Sequence, residues 1–195
     1  MRWDLRMPPE DVSWQHICDA AVQAAIPGAI PIVERIHPAE KASVRILMSG
    51  CLISRPGAAM QRWHADTDSS HFKLAGADRH CRIYNVFMPL CDVRRDADGT
   101  EFWPGSHERI TPPPTCVPVG ATVAPPCPAG GLIIADYRTL HRGRASIGRE
   151  RQVAYVVLGI GDAAEDHSNF SPVEIADAHP RVLEQMPFWD DWEVD

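Results

Sequence analysis

The sequence predicts a mainly β protein, a double-sheet jelly roll or another β-sandwich, with one helix in front of the strands. Two observations lead to this prediction. Short apolar stretches rich in β-branched residues recur at fairly regular intervals, and each is closed by Pro or Gly. Many of the 18 prolines cluster in the joints between these stretches, where they disfavour long helices. Many short strands separated by turn signals are typical of sandwiches and barrels.

The predicted elements follow one another along the chain. Residues 11–25 place apolar side chains at mixed helical spacing, and Pro27-Gly28 predicts the end of this helix. In the tail, residues 171–174 (SPVE) form a capping box with proline at the first helical position, which predicts a short helical segment. Between the two helical regions, five strands are predicted over residues 44–54, 81–90, 116–124, 131–137 and 152–160.

A length of 195 residues predicts a single domain with its own core. We divide it into an N-terminal helical segment (residues 1–42) that packs on the β core, the β core itself (43–161), and a C-terminal tail (162–195). The tail carries ten acids and one base, so it accounts for the net charge of −7 of the whole chain. Its large aromatic side chains rarely stay exposed in proteins, so we expect the tail to fold back on the β core.

Composition excludes several classes of protein. Hydrophobic residues make up 45% and charged residues 23%, which is ordinary for a globular protein. No run approaches the roughly 18 apolar residues of a membrane span, and the first residues resemble no secretory signal, so we expect a soluble, cytoplasmic protein without membrane association. The six cysteines lack metal-like spacing and are expected to be free thiols. A basic stripe interleaved with aromatics is missing, which argues against nucleic-acid binding.

One short motif points to chemistry. His64 and Asp66 lie two residues apart, and in extended structure such side chains point the same way, so they can bind one metal ion. An H-x-D motif alone arises by chance in a chain of this size, but His141 follows the most apolar predicted strand. Two histidines and one carboxylate on a β-scaffold form the facial triad of non-haem Fe(II) oxygenases, which leaves coordination positions open.

In their order and spacing, these residues and several further segments resemble the phytanoyl-CoA dioxygenase-like family of Fe(II)/2-oxoglutarate-dependent oxygenases. The resemblance covers about residues 43–160. It rests on four segments of the chain. They are residues 56–57 (PG) with 61–66 (QRWHAD), residues 85–90 (NVFMPL), residues 98–107 (DGTEFWPGSH), and residues 139–143 (TLHRG), the last followed by an arginine.

The resemblance implies a fold, cofactors and a site. The fold would be a double-stranded β-helix, the jelly roll of these oxygenases. The iron ligands would be His64, Asp66 and His141, and Arg151 would form the salt bridge to the C5 carboxylate of the cosubstrate 2-oxoglutarate, with O₂ as the second cosubstrate. Three further residues are similar to positions that line the cosubstrate pocket in relatives: Gln61, Asn85 and Thr100.

The chain departs from the family pattern in two places. The segment between His141 and the later arginine is rich in arginine, which makes Arg149 a rival to Arg151. We prefer Arg151 because it begins a predicted strand, where a side chain is held in place. The chain is also shorter than most members, so elements that cover the substrate are trimmed, supplied by the tail or supplied by another chain. We expect a monomer or a homodimer.

The implied activity is hydroxylation of an unactivated C–H bond of a small molecule, with release of succinate and CO₂. Desaturation or ring formation is an alternative outcome. A different class of protein is a cupin-like metal-binding protein or isomerase that does not use 2-oxoglutarate, and a third is a catalytically degenerate family member. The arginine after His141 discriminates the oxygenase from a cupin-like protein, because the oxygenase needs it and a cupin-like binder does not. Arg142 and Arg144 are either solvated or a site for an anionic substrate group.

The other candidates are weighed against structural roles. His107 is expected to be structural, because the neighbouring Gly and Ser favour local hydrogen bonding. Trp63 precedes His64 and should point to the opposite face, into a core. Trp103 and Tyr84 either line a pocket or pack. Asp136 is a candidate hydrogen-bond partner for a metal-binding imidazole.

Overall fold

The computed structural model of the chain describes residues 2–7, 15–37, 44–66, 83–94, 99–108, 117–118 and 120–160. For residues 3–7, 15–22 and 108 it describes the backbone alone. The acidic tail over residues 162–195, with the helical segment and the aromatic contacts predicted for it, lies outside the described residues. Within the described ranges the elements are β1 (Arg2–Met7), α1 (Gln15–Ile36), β2 (Val44–Ser54), β3 (Ile83–Pro89), β4 (Thr100–Phe102), a short 3-10 helix (Ser106–Glu108), β5 (Ile133–Asp136), β6 (His141–Gly143) and β7 (Arg151–Ile160).

The strands form two antiparallel sheets. The larger has five strands in the order β1-β2-β7-β3-β5, and the smaller consists of β4 and β6. In the larger sheet, sequence neighbours are mostly not spatial neighbours, since the last strand, β7, lies between β2 and β3. A mainly β protein with antiparallel sheets and one helix is therefore confirmed.

The larger sheet is covered on both faces. α1 contacts β2, β3 and β7 on one side. On the other side, Phe87 of β3 contacts the rings of Phe102 and His141, which belong to the smaller sheet. This double covering explains why β3 is buried at every position and β7 at every position except Gln152. The core of the protein lies along these two strands, and the smaller sheet faces it.

The helix extends further than the sequence predicts. Pro27-Gly28 does not end it, and α1 continues to Ile36 with Pro27 and Pro31 inside. Ala25, Ala29 and Val33 lie one turn apart and are all buried against the sheet. Tertiary packing of this stripe offsets the hydrogen bonds that the prolines remove. No helix in the described part of the chain is both long and apolar enough to cross a membrane.

The strand predictions hold for four of the five apolar stretches, with ends shifted by at most two residues. The strand predicted over residues 116–124 is wrong, because in the described part of that stretch the only pairing is a single bridge between Val123 and Phe102. Prolines at positions 118, 125 and 126 lack the N–H groups that a ladder needs. Three strands were not predicted, namely β1, β4 and β6.

Candidate metal centre

Two histidines face each other across an antiparallel bridge. The His64 N–H donates to the His141 carbonyl at 3.1 Å, and the His141 N–H donates to the His64 carbonyl at 2.8 Å. Residues paired in this way carry their side chains on the same face. The imidazole centroids are accordingly 4.5 Å apart. The bridge brings the loop after β2 to the first residue of β6, so two distant segments of the chain meet at one point.

Both imidazoles are oriented by the same kind of hydrogen bond. His64 Nδ1 donates to the Arg62 carbonyl at 2.9 Å, and His141 Nδ1 donates to the Thr139 carbonyl at 3.0 Å. Because a carbonyl oxygen can only accept, each Nδ1 carries the proton. In the neutral ring this leaves Nε2 with its lone pair, which is the form in which histidine binds a metal ion.

Asp66 brings a carboxylate to the two Nε2 atoms. Its Oδ1 lies 3.8 Å from His64 Nε2, and its Oδ2 lies 3.4 Å from His141 Nε2. One ligand atom from each of the three side chains lies within 4.8 Å of the other two, and among the described residues no other group of three behaves in this way. Two contacts hold Asp66 in place: its N–H donates to the Tyr137 carbonyl at 3.3 Å, and its Oδ2 accepts a hydrogen bond from Asn85 Nδ2.

The electrostatic environment keeps one of the imidazoles neutral. Burial lowers the pKa of His64 below its ordinary value, and the neighbouring His141 lowers it further. The charge of Asp66 and the hydrogen bond to Arg62 act in the opposite direction without cancelling the effect. A neutral imidazole has its Nε2 lone pair available for a metal, so at neutral pH His64 needs no deprotonation before binding.

Aromatic rings shield His141. Phe102 stacks on its imidazole at 5.8 Å between centroids, and the Phe87 ring lies 6.0 Å away. His141 is 7% exposed, whereas His64 is only partly buried. The centre is thus dry on the side of the core and more open on the side of His64.

This donor set fits a divalent transition metal. It offers two imidazole nitrogens with the correct tautomer and one carboxylate, all convergent, and no thiolate takes part. Three protein ligands on a β-scaffold leave coordination positions open for small molecules, as a non-haem iron site requires. The same atoms serve poorly as a structural zinc site, which is usually closed by four protein ligands.

The three residues predicted to line a cosubstrate pocket contact either a metal donor or the strand that carries one. Asn85, on β3, contacts Asp66 directly. Gln61 lies beside β6. Its side-chain Oε1 accepts a hydrogen bond from the backbone N–H of Gly143 at 2.8 Å, and its backbone N–H donates to the Gly143 carbonyl at 2.9 Å. Thr100 is paired with Gly143 across the smaller sheet. The structure therefore brings all three close to the strand that begins with His141.

The two rival arginines have different surroundings. Arg151 is 5% exposed, and its Nη1 donates to the Gly99 carbonyl at 3.0 Å while Nη2 reaches Ser54 Oγ at 3.4 Å. Arg149 is partly exposed, and its Nη2 donates to the Asp92 carbonyl. Only Arg151 therefore points between the two sheets, on the side where the metal centre lies.

Other charged candidates have structural partners. The Arg142 guanidinium donates from Nε to Glu101 Oε2 at 2.9 Å and lies 4.4 Å from the centre of the Trp63 ring, so it is neither freely solvated nor aimed at the metal centre. The Asp136 carboxylate binds Arg138 through both oxygens, at 3.0 Å and 2.7 Å. The metal-site imidazoles use backbone carbonyls instead, so the role suggested for Asp136 is wrong.

The remaining candidates take the structural roles. Trp63 and Trp103 are buried together with Leu140 in a second small core. Tyr84 packs in the main core, where its hydroxyl is hydrogen-bonded to His37 Nε2 at 2.9 Å. His107 lies on the short 3-10 helix and is not part of the metal-donor group.

Sequence reasoning missed two polar residues near Arg151. Ser54 ends β2, and Arg2 begins β1 and donates to Ser54 Oγ at 3.0 Å. A signal for β1 was present, because residues 2–7 (RWDLRM) alternate strictly between polar and apolar side chains. No local signal marks Ser54.

Comparison with known proteins identifies relatives of this arrangement. Residues 10–152 match the family model of phytanoyl-CoA dioxygenase. No curated protein sequence matches the chain significantly. Among solved structures, EvdO2 from Micromonospora carbonacea var. aurantiaca has a TM-score of 0.59 at 16% identity, with 83% of this chain and 66% of EvdO2 covered.

Two enzymes of nogalamycin biosynthesis are also similar in structure. The non-heme alpha ketoglutarate dependent carbocyclase SnoK has a TM-score of 0.55 at 20% identity, with 82% of this chain and 68% of SnoK covered. The epimerase SnoN has a TM-score of 0.52 at 19% identity, with 74% of this chain and 57% of SnoN covered. The chain thus spans between about half and two thirds of the length of these enzymes. At such low identity, the similarity shows a shared fold.

The cofactors that the sequence predicts agree with these findings at the level of the family. SnoN is known in complex with Fe3+, alpha ketoglutarate and nogalamycin RO, and EvdO2 is known in complex with 2-oxoglutarate. For the family whose model the chain matches, the prediction of iron, 2-oxoglutarate and O₂ is confirmed.

Proposed function

The chain belongs to the phytanoyl-CoA dioxygenase family, and on that premise we propose that it is an Fe(II)/2-oxoglutarate-dependent oxygenase that hydroxylates an unactivated C–H bond of a small molecule. Its two sheets would be those of a double-stranded β-helix. The observation that carries the proposal is the convergence of His64, Asp66 and His141, with both Nε2 atoms free to bind. When bound there, iron supplies oxidation chemistry with 2-oxoglutarate and O₂ that no protein side chain can perform.

The protein's own residues have separate tasks in this proposal. Asn85 holds the carboxylate of Asp66, and the carbonyls of Arg62 and Thr139 hold the imidazoles, so the ligands need little rearrangement to bind. Phe87 and Phe102 keep water away from one side of the centre. Such exclusion protects a reactive site from side reactions.

Arg151 would bind the distal carboxylate of 2-oxoglutarate. A guanidinium matches a carboxylate with two parallel hydrogen bonds, and burial strengthens this pairing. Gln61 and Thr100 lie beside Gly143, two residues after His141, and Thr100 follows Gly99, whose carbonyl accepts a hydrogen bond from Arg151. We propose that they line the pocket for the cosubstrate.

Hydroxylation is the specific outcome that we propose for this oxygenase. The SnoN and SnoK structures are named as those of an epimerase and a carbocyclase, so this fold supports other outcomes. The carboxylate of Asp66 would take the coordination position that a halide needs, which favours hydroxylation over halogenation. The substrate would be a small molecule, in a cytoplasmic protein that acts as a monomer or a homodimer.

The alternative function is a cupin-like metal-binding protein or isomerase that does not use 2-oxoglutarate. The metal donors alone would serve it equally well. The buried Arg151 favours the oxygenase, because it reaches the carbonyl of Gly99 at the start of the smaller sheet, and a dicarboxylate cosubstrate requires a guanidinium for its distal carboxylate.

Anaerobic titration of the protein with Fe(II) and 2-oxoglutarate tests the proposal. We expect a weak visible charge-transfer band that is lost in His64→Ala and retained in His107→Ala, a matched control outside the metal-donor group. Under air, the wild type should release succinate from 2-oxoglutarate. A wild type that binds Fe(II) but shows neither band nor succinate would favour the cupin-like alternative.

The assignment of the cosubstrate arginine has its own test. Arg151→Ala should weaken 2-oxoglutarate binding to the Fe(II)-loaded protein far more than Arg149→Ala, because only the former side chain is buried between the sheets. Binding is measured by anaerobic calorimetry. The reverse ranking would make Arg149 the anchor.

A further inference from the structure

Three polar residues form a row across three adjacent strands of the larger sheet. Arg2 of β1 is paired with Ser54 of β2, and Ser54 is paired with Arg151 of β7. Directly paired residues carry their side chains on the same face of a sheet. The row faces the smaller sheet, since Arg151 reaches the carbonyl of Gly99, just before β4, and Arg2 reaches the carbonyl of Arg144, just after β6.

Both guanidinium groups converge on one hydroxyl. Ser54 Oγ accepts a hydrogen bond from Arg2 Nε at 3.0 Å and lies 3.4 Å from Arg151 Nη2. The two guanidinium groups are therefore separated by no more than two hydrogen-bond lengths. Ser54 is itself buried, at 1% exposure.

Arg2 also lies over the strand that supplies a metal-binding imidazole. A Cβ atom at Gly143 would lie 2.9 Å from Arg2 Cζ and 2.7 Å from Gln61 Oε1, so glycine at this position lets both side chains approach the strand closely. Gly143 follows His141 by two residues on β6, and residues spaced in this way share a face of the strand. Arg2 thus lies on the side of β6 to which His141 points.

The two converging guanidinium groups are suited to bind an anion. Burial lowers the pKa of Arg2 to about 10, and the charge of Arg151 contributes to the shift. The two hydrogen bonds of Arg2 in this structure go to neutral oxygens, the Ser54 hydroxyl and the Arg144 carbonyl. Two guanidinium groups at this separation can share one carboxylate, because each offers it charge-assisted hydrogen bonds.

We propose that Arg2 and Arg151 together bind the distal carboxylate of 2-oxoglutarate, so that Arg2 is a second cosubstrate-binding residue that makes the site selective for dicarboxylates. This inference rests on the proposed function. The class of ligand follows from the geometry: one end of the ligand must chelate a metal held by His64, Asp66 and His141, and the other must offer a carboxylate to two guanidinium groups. A 2-oxo acid without a distal carboxylate, such as pyruvate, meets only the first requirement.

Calorimetric titration of the Fe(II)-loaded protein without oxygen tests the inference by direct binding. We expect Arg2→Gln to weaken 2-oxoglutarate binding by about 10-fold to 100-fold, the loss of one or two charge-assisted hydrogen bonds. Pyruvate binding should change less than about threefold in the same variant. Arg55→Gln is the matched control, since Arg55 follows Ser54 but pairs with Glu150 at the surface, and it should leave both affinities as in the wild type.

The outcomes separate the inference from the proposed function. If the wild type binds no 2-oxoglutarate, both are overturned. If the wild type binds it and Arg2→Gln binds it equally well, only the role of Arg2 is overturned. If Arg2→Gln loses 2-oxoglutarate and pyruvate to the same extent, Arg2 merely ties β1 to the Arg144 backbone, and the inference is again overturned.

A second variant covers the case in which Arg2→Gln does not fold. Arg2→Lys keeps the positive charge and most of the aliphatic stem but lacks the planar fork. It should bind 2-oxoglutarate about three-fold to 10-fold more weakly than the wild type, with pyruvate binding unchanged. Equal affinity of Arg2→Lys and the wild type for 2-oxoglutarate would contradict a fork-like contact of Arg2 with the carboxylate.

Discussion

The larger and the smaller sheet are stabilised in different ways. β3 and β7 of the larger sheet are buried almost throughout, and Val86 and Leu158 have no exposed surface. β4 and β6 of the smaller sheet have three residues each, and polar contacts add to the packing of the buried Phe102. Arg142 pairs with Glu101 and lies on the Trp63 ring, and Thr122 donates to Glu101 at 2.6 Å.

This difference divides the site between a buried, apolar side and a polar side. The smaller sheet supplies His141 and the bridge to His64, whereas the larger sheet supplies Arg151 and the residues in its row. Substitutions in the larger sheet should therefore change the stability of the whole protein. Substitutions among the polar contacts should change metal binding or local structure at a smaller cost in stability.

The largest effect is expected in the larger sheet. Leu158→Ala removes a fully buried side chain from β7 and leaves a cavity, so the free energy of unfolding should fall by about 3–5 kcal/mol. Urea denaturation measures this loss, and the folded fraction should bind Fe(II) as the wild type does. Ile147→Ala is the control, because Ile147 is 80% exposed and its loss should change stability by less than about 0.5 kcal/mol. A loss below about 1 kcal/mol in Leu158→Ala would show that this strand is not the core.

Asn85 of β3 connects the larger sheet to the metal centre through its hydrogen bond to Asp66. Asn85→Ala should weaken Fe(II) binding by about 10-fold to 100-fold, because Asp66 loses the amide that fixes its carboxylate. Metal affinity is measured by anaerobic competition with a chelator. Thr122→Ala, which removes a hydrogen bond to Glu101 rather than to Asp66, should leave Fe(II) affinity unchanged. Equal losses in both variants would mean that Asn85 acts on general stability.

The smallest effect is expected at the ion pair of the smaller sheet. Glu101→Gln should lower the free energy of unfolding by about 1–2 kcal/mol, since a charge-assisted hydrogen bond from Arg142 becomes a neutral one. Chemical denaturation at neutral pH measures the change. A loss as large as that of Leu158→Ala would show that the smaller sheet also depends on this single carboxylate.

The same pair has a defined pH dependence. Burial raises the pKa of Glu101, but the hydrogen bonds from Thr122 and Arg142 and the charges of Arg142 and Arg144 outweigh it, so the pKa lies below its ordinary value of 4.5. A carboxyl whose folded-state pKa is lowered stabilises the protein above its unfolded-state pKa and loses that contribution as the pH falls through the folded-state pKa. The stability difference between the wild type and Glu101→Gln should therefore be constant near pH 7 and shrink below about pH 4.5. A difference that grows on acidification would contradict this assignment.

Much of the fold was predictable because its signals are local. The apolar stretches that become β2, β3, β5 and β7 are visible as runs of β-branched residues, and burial against neighbours only adjusts their ends. β4 and β6 were missed because three residues are too short to show a period. α1 was cut short because the prolines are a local signal, whereas the stripe that keeps the helix together, Ala25, Ala29 and Val33, gains its stability from the sheet.

For the candidate site, the sequence by itself determined which residues are candidates for the chemistry: the spacing of His64 and Asp66 and the arginine after His141 are relations between near neighbours. Only the tertiary structure decided how they meet. The bridge between His64 and His141, the amide of Asn85 on Asp66, and the row of Arg2, Ser54 and Arg151 join segments that are remote in the chain. Such contacts depend on strand register and sheet order, which arise from the packing of the whole core and leave no trace in any short stretch of sequence.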